Sequence, residues 1–342
     1  MYGVVCSLLL SMVSHLYMGI NEKVISRQRY QRILGWVVVA IIFLFLGKMV
    51  WQNWAQVKEA SFTLEPYTLL LATLSYGAAF LIQVWAWYLI TVKLGIALPR
   101  LETLESWFYS QLGKYLPGKV WLLLSRFYFY ESKAKSKKSI WIALYVETAT
   151  MVIAAWLLFL AGLFLFQEVR TFYSVGKWIG WMLPFLLAFL SLHPRVLQRI
   201  FNWILTFLKK DTVSLSISYR DILWILFISV LSWAVGGVGF YFFVKSLYPV
   251  SLSHVLFLAG SLSFASLLGL IAIFAPIGLG VREGILVYFL SYLMPSSVAV
   301  VISILTRLWM TFIEIGLIGM IYLVGKFRKG FGKRRDDRTE RE

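Results

Sequence analysis

The sequence predicts an all-α fold, a polytopic bundle of membrane helices, and three observations predict it. Hydrophobic residues make up 60% of the 342 positions and charged residues only 14%, against roughly a quarter charged in a soluble domain. Several stretches run uncharged for the length of a bilayer crossing. The Lys and Arg behind the formal charge of +17 gather in short segments between those stretches. That placement suits membrane topology and anionic headgroups, and it argues against nucleic acid as a partner.

A helix rising about 1.5 Å per residue needs about 20 apolar residues to cross about 30 Å of hydrocarbon. Segment 33–51 meets that length, 67–92 and 222–244 contain no charge, and 140–167 contains only Glu147. Segment 175–192 is shorter and holds Pro184, and 298–324 carries Arg307 and Glu314; both are read as spans. Between them the loops alternate: 23–32, 131–138, 193–220 and the tail from Lys326 are basic, whereas 52–66, 168–174 and 245–254 are acidic or nearly neutral. The positive-inside rule then puts the C-terminus in the cytoplasm of a multi-pass protein of a bacterial inner membrane.

Residues 1–17 read as a dispensable or non-native extension. The apolar run 4–13 is too short to span and lacks a basic start or a cleavage signal, whereas Met18 is followed by Lys23, Arg27, Arg29 and Arg32 just before the first full span. The membrane domain is expected over 18–325 and a basic cytoplasmic tail over 326–342.

The alternation of sides holds only if two further apolar regions enter and leave on the same face. Region 101–130 contains Gln111, Lys114, the turn Leu116-Pro117-Gly118-Lys119 and Arg126. Region 255–294 is long enough for two crossings and breaks near Ala275-Pro276-Ile277-Gly278-Leu279-Gly280. Both are expected to be broken or re-entrant helical hairpins, whose unpaired backbone must be buried in protein or line a wet cavity. Each is followed by a long span with a charge near its middle, Glu147 thirty residues after Pro117 and Arg307 thirty-one after Pro276. Opposite openings make this an inverted repeat, about 33–166 and about 175–325, a design that commonly places a substrate site near the midplane.

Glu147 and Arg307 reach similar depths, so the two are expected to meet, as an ion pair between halves or as part of a site. Alternatively Glu314, seven residues on along one helix face, neutralises Arg307.

Two motifs carry a resemblance: Gln111-Leu-Gly-Lys-Tyr-Leu-Pro-Gly-Lys119 and Pro276-Ile-Gly-Leu-Gly-Val-Arg-Glu-Gly284. With them the chain, from about Met18 onward, resembles the transmembrane region of the lysylphosphatidylglycerol synthase/flippase group. Lys119 and Ile277 stand where relatives often have glycine. The resemblance implies a flippase-like domain. Since no aminoacyl-transferase domain follows in this sequence, it does not imply lipid lysylation.

Glycine-rich breaks beside Lys and Arg suit a phosphate, because freed backbone N–H groups and positive helix ends attract anions. Lys114, Lys119, Arg126 and Arg282 are the candidate headgroup ligands; Arg grips phosphate bidentately and Lys as a point charge. The competing readings are snorkelling of Lys114 and Lys119 to the interface, and a helix-capping role for Glu283 beside Arg282. Trp36, Trp51, Trp54, Trp107, Trp121, Trp141, Trp178 and Trp181 are expected in an interfacial belt. Gly236, Gly237, Gly239, Gly280 and Gly284 are read as close-packing positions.

Cys6 is the single cysteine and His15, His193 and His254 are scattered, so no metal or cofactor is expected. No nucleophile elbow, phosphate-binding loop or zinc motif is present, so an enzyme is not expected. The function expected is translocation or binding of a phospholipid or polyprenyl-linked lipid. The alternative is a non-transporting partner of a glycosyltransferase or lipid-modifying enzyme, with a homodimer as a further option.

Overall fold

A computed structural model describes residues 64–115, 120–166, 192–207, 217–271 and 280–339, together with the isolated positions 51, 186, 189, 190 and 212. The predicted spans 33–51 and 175–192, the extension 1–17, and Pro117, Gly118, Lys119, Pro276 and Gly278 lie wholly or almost wholly outside them. Among the described residues all regular structure is helical. The helices are α1 (Pro66–Lys93), α2 (Arg100–Gln111), α3 (Val120–Ser132), α4 (Lys137–Leu165), α5 (Pro194–Phe207), α6 (Tyr219–Leu247), α7 (Val255–Ile271), α8 (Val281–Leu290) and α9 (Ser296–Thr339). Short 3-10 turns, Leu112–Tyr115 and Leu252–His254, extend α2 and lead into α7.

Local chemistry sets the ends. Pro66 opens α1, where a missing N–H costs nothing, and Gly95 takes the left-handed φ of +69° that turns the chain after Lys93. Ser218 and Asp221 form a reciprocal capping box at the start of α6. Ser136 caps α4 by accepting from the Ser139 amide. The helix α9 runs without a break from Ser296 through Thr339.

Among the described residues five helices are long and apolar enough to cross a membrane: Pro66–Lys93, Lys137–Leu165, Tyr219–Leu247, Leu252–Leu270 and Ser296–Lys326. They match the predicted segments 67–92, 140–167, 222–244 and 298–324, and the first arm of 255–294. Leu70, Leu74, Leu81 and Trp85 on α1 and Trp224, Phe227 and Leu231 on α6 are exposed. Their helical spacing makes stripes that face lipid rather than core.

Small residues set the inner contacts. α1 lies against α6, where a Cβ on Gly239 would stand 3.0 Å from the Ala72 carbonyl oxygen and Ser232 donates to the Ala79 carbonyl at 2.8 Å. α4 lies against α7 through Gly162, where a Cβ would be 2.5 Å from the Leu256 oxygen. Gly260 answers it from the other side, 3.0 Å from the Leu158 oxygen. Such backbone approaches are how helices associate in lipid, where burial of apolar surface gives little drive. The packing reading therefore holds for Gly236, Gly237 and Gly239. It fails for Gly280 and Gly284, where a Cβ would meet nothing within 4 Å; Gly280 instead supplies the φ of +80° ahead of α8.

Two regions depart from full crossings. α2 and α3, with 12 and 13 residues, reach only about 18 to 20 Å of an about 30 Å core. α8, with 10 residues, reaches about 15 Å.

One end of the bundle carries a set of ion pairs: Lys93–Asp221 at 2.8 Å, Lys133–Glu102 at 2.9 Å and Lys137–Glu131 at 2.6 Å. α4 starts at this end. α9 arrives here late in its course, with Gly325 against the Glu105 carboxylate, so α4 and α9 run in opposite directions.

Candidate functional site

Three ion pairs link α3, α8 and the turn after α2 to the two long helices α4 and α9. The first joins α3 to α4. Arg126 and Glu147 are paired by a short contact between Nη1 and Oε2. Around them every strong group is engaged: Trp107 donates its indole N–H to Glu147 Oε1 at 2.8 Å, and Arg126 Nε and Nη2 both donate to Ser110 Oγ, at 3.1 and 2.9 Å. The guanidinium also lies 4.5 Å from the Trp87 ring centroid, and Trp87 in turn donates to the Tyr130 hydroxyl at 2.9 Å. Glu147 is ten residues into α4, a depth of about 15 Å. An isolated charge there costs about 3 kcal/mol on insertion scales; the pairing and the ring stacked on the cation offset that cost.

The second pair joins α8 to α9. Glu283 Oε1 accepts from Arg307 Nη1 at 2.5 Å, while its Oε2 accepts from the Gly280 amide at 2.9 Å. Glu283 thus caps α8 and neutralises Arg307 at once. Gly280 makes that cap geometry accessible through its positive φ. Arg307 sits eleven residues into α9, about 16 Å deep from the opposite end.

These contacts correct the expectation that Glu147 and Arg307 meet. Each charge is satisfied by the short helix that precedes its own, Glu147 by Arg126 of α3 and Arg307 by Glu283 of α8. They also correct the reading that Glu314 neutralises Arg307. The capping role weighed for Glu283 is present, combined with ion pairing.

The third pair is long-range. Lys114 Nζ lies 2.5 Å from Glu314 Oε2, joining the end of the first hairpin's leading arm to α9 across 200 residues of sequence. Gly113 explains the position: a Cβ there would be 2.6 Å from Trp121 and Leu122 backbone atoms, so the turn presses directly on α3 and the next residue is directed outward to α9. Lys114 is therefore not simply snorkelling. Its side chain is 31% exposed while that of Glu314 is 2% exposed, and Arg126 is 1% and Arg282 12% exposed. Of the described candidate ligands, Lys114 is the most accessible.

Arg282 lies beside the second pair. Its Nη1 is 3.8 Å from Glu283 Oε1 and its Nη2 is 2.9 Å from the sulfur of Met310. Tyr76 packs beside this face of α9, its ring centroid 5.1 Å from that of Trp309. On α9, Arg307, Met310 and Glu314 stand at offsets of three and seven, so a single helix face meets Glu283, Arg282 and Lys114 in turn.

Trp107 is 4% exposed and belongs to this site, not to the interfacial belt. Sequence reasoning also missed Trp87, Ser110, Tyr130, Tyr76 and Met310. The one available signal was the spacing of Trp107, Ser110 and Lys114, which places all three on one face at offsets of three and seven.

Residues 32–319 fit the family model described as the lysylphosphatidylglycerol synthase TM region. The chain belongs to that family. This lysylphosphatidylglycerol synthase TM region holds all three ion pairs and Arg282, and it makes the chain a membrane, lipid-related, flippase-like domain. No curated protein matches the chain.

Proposed function

We propose that this protein is a lipid translocase of a bacterial inner membrane that binds the phosphate-bearing headgroup of a phospholipid or polyprenyl-linked lipid and leaves it chemically unchanged. The C-terminus lies in the cytoplasm. The observation that carries the reading is the row on α9, where Arg307, Met310 and Glu314 meet Glu283, Arg282 and Lys114 in turn, so that Arg282 and Lys114 are held against one helix face. A thioether is a weak acceptor, so Arg282 gains by meeting a phosphate oxygen in place of Met310. Lys114 is the exposed member of its pair and offers a point charge to the same phosphate.

The two hairpins act as inverted repeats. The opposed directions of α4 and α9 and the matched pairs Arg126–Glu147 and Glu283–Arg307 support that reading. In it, Arg126 and Arg307 position the hairpins, and Lys114 and Arg282 meet the headgroup. Gly280 turns the chain into α8 ahead of Arg282. Acyl or prenyl tails stay in the bilayer.

The test is headgroup transfer in proteoliposomes, with fluorescent phosphatidylglycerol and a polyprenyl phosphate as cargo. Wild type is expected to exceed empty liposomes for at least one of them, with Lys114→Ala and Arg282→Ala each slower. Wild-type transfer no faster than in empty liposomes for both cargoes overturns the reading.

A further inference from the structure

We propose that the Lys114–Glu314 ion pair is a latch between the first hairpin and α9, and that an anionic headgroup phosphate opens it by taking Lys114 from Glu314. The inference rests on the translocase reading and adds how cargo is coupled to movement.

The three pairs differ in what they join and in how well water and ligands reach them. Arg126–Glu147 and Glu283–Arg307 tie each hairpin to the helix that follows it in sequence, and both members of each are almost fully buried. A cargo anion reaching either would have to displace a carboxylate from a site already enclosed by Trp107, Trp87 and Ser110, or by Gly280 and α8. Lys114–Glu314 is different on both counts. It joins elements 200 residues apart, and its cation is 31% exposed while its carboxylate is 2% exposed.

That asymmetry decides which partner can be exchanged. Glu314 is fixed in the wall of α9, whereas Lys114 ends a flexible stem on a short 3-10 turn, Leu112–Tyr115. A phosphate offers several acceptor oxygens to an ammonium that the carboxylate also wants, and Arg282, held at Met310 about one turn before Glu314 on α9, adds a second cation for it. The hairpin then remains stapled to α4 through Arg126 and loses its ion pair to α9. A latch of this kind gives an empty protein one arrangement and a loaded one another, which is what a ligand must do to shift a two-state equilibrium.

The experiment is a spin-label distance measurement between cysteines at Arg100 and Val324, at the end where α2 meets α9, in a protein with Cys6 replaced by Ser and solubilised in a maltoside detergent without phosphate. Phosphatidylglycerol is expected to lengthen the distance by several ångström. Glu314→Gln and Lys114→Gln, which open the latch from either side, are expected to show the longer distance without lipid. An arm with inorganic phosphate separates the sources: a shift there supports the latch with free phosphate sufficient to release it, and a shift with lipid alone supports it with the whole headgroup required. Unchanged distances in wild type, at lipid concentrations where binding is measured directly, overturn the latch and leave the translocase reading standing. Absence of any binding overturns both. Either Gln variant giving the wild-type lipid-free distance also overturns the latch, and two variants are used so that misfolding of one leaves the other decisive.

Discussion

Trp107 donates its indole N–H to Glu147 at 2.8 Å, a bond from α2 to α4 between two buried side chains. A tryptophan expected at the interface is thus a ligand of a buried carboxylate. Replacing it by Phe keeps the ring and removes the donor. Hydrogen bonds to charged groups contribute about 1.5 to 3 kcal/mol, so Trp107→Phe is expected to lower the thermal midpoint in detergent. An unchanged midpoint would show that Glu147 does not depend on this donor.

Breaking a buried pair by removing one member costs about 3 to 5 kcal/mol, and replacing both members by apolar groups costs far less. Arg126→Met and Glu147→Leu should each sharply reduce the yield of folded protein. The double variant should recover much of the loss. Monodispersity on size exclusion and thermal midpoints read this directly, and additive losses would sink it.

Glu283 performs two tasks with its two oxygens, on Gly280 and on Arg307. Glu283→Gln retains an acceptor for the cap but not the charge, while Glu283→Ala loses both. The expected order of stability is wild type, then Gln, then Ala, with the last step about 1 kcal/mol as for other helix caps. If Gln and Ala melt together, the cap contributes nothing.

Glycines divide by environment. Gly162→Ala drives a methyl into the Leu256 carbonyl and should destabilise by about 1 to 3 kcal/mol, the usual range for overpacking. Gly284→Ala meets open space within a helix and should be neutral or stabilising by up to about 1 kcal/mol. Thermal midpoints of the two variants, measured in the same detergent, are the check; equal losses would remove the distinction.

The long uncharged segments were legible because apolar length is a direct physical requirement of a bilayer, and four predicted spans fall on α1, α4, α6 and α9. The interruption of the two hairpin regions was legible through Lys114, Arg126 and Gly280, which do not belong in a straight lipid-facing helix. Partner choice was not. Glu147 and Arg307 reach similar depths, and depth alone suggested that they meet; which charge lies across from each depends on hairpin packing, set by the Gly113 contact with α3 and by the cap at Gly280. The sequence showed Arg307 and Glu314 on one face of α9, but a shared face does not make two residues partners when other helices approach between them.

The pairing of Arg126 with Glu147 also has an electrical meaning. At the buried depth, α3 and α4 together carry as much positive as negative charge, so shifting them as one body along the membrane normal displaces no net charge through the hydrocarbon. A transmembrane voltage performs work only on charge that moves, and this staple gives it no handle.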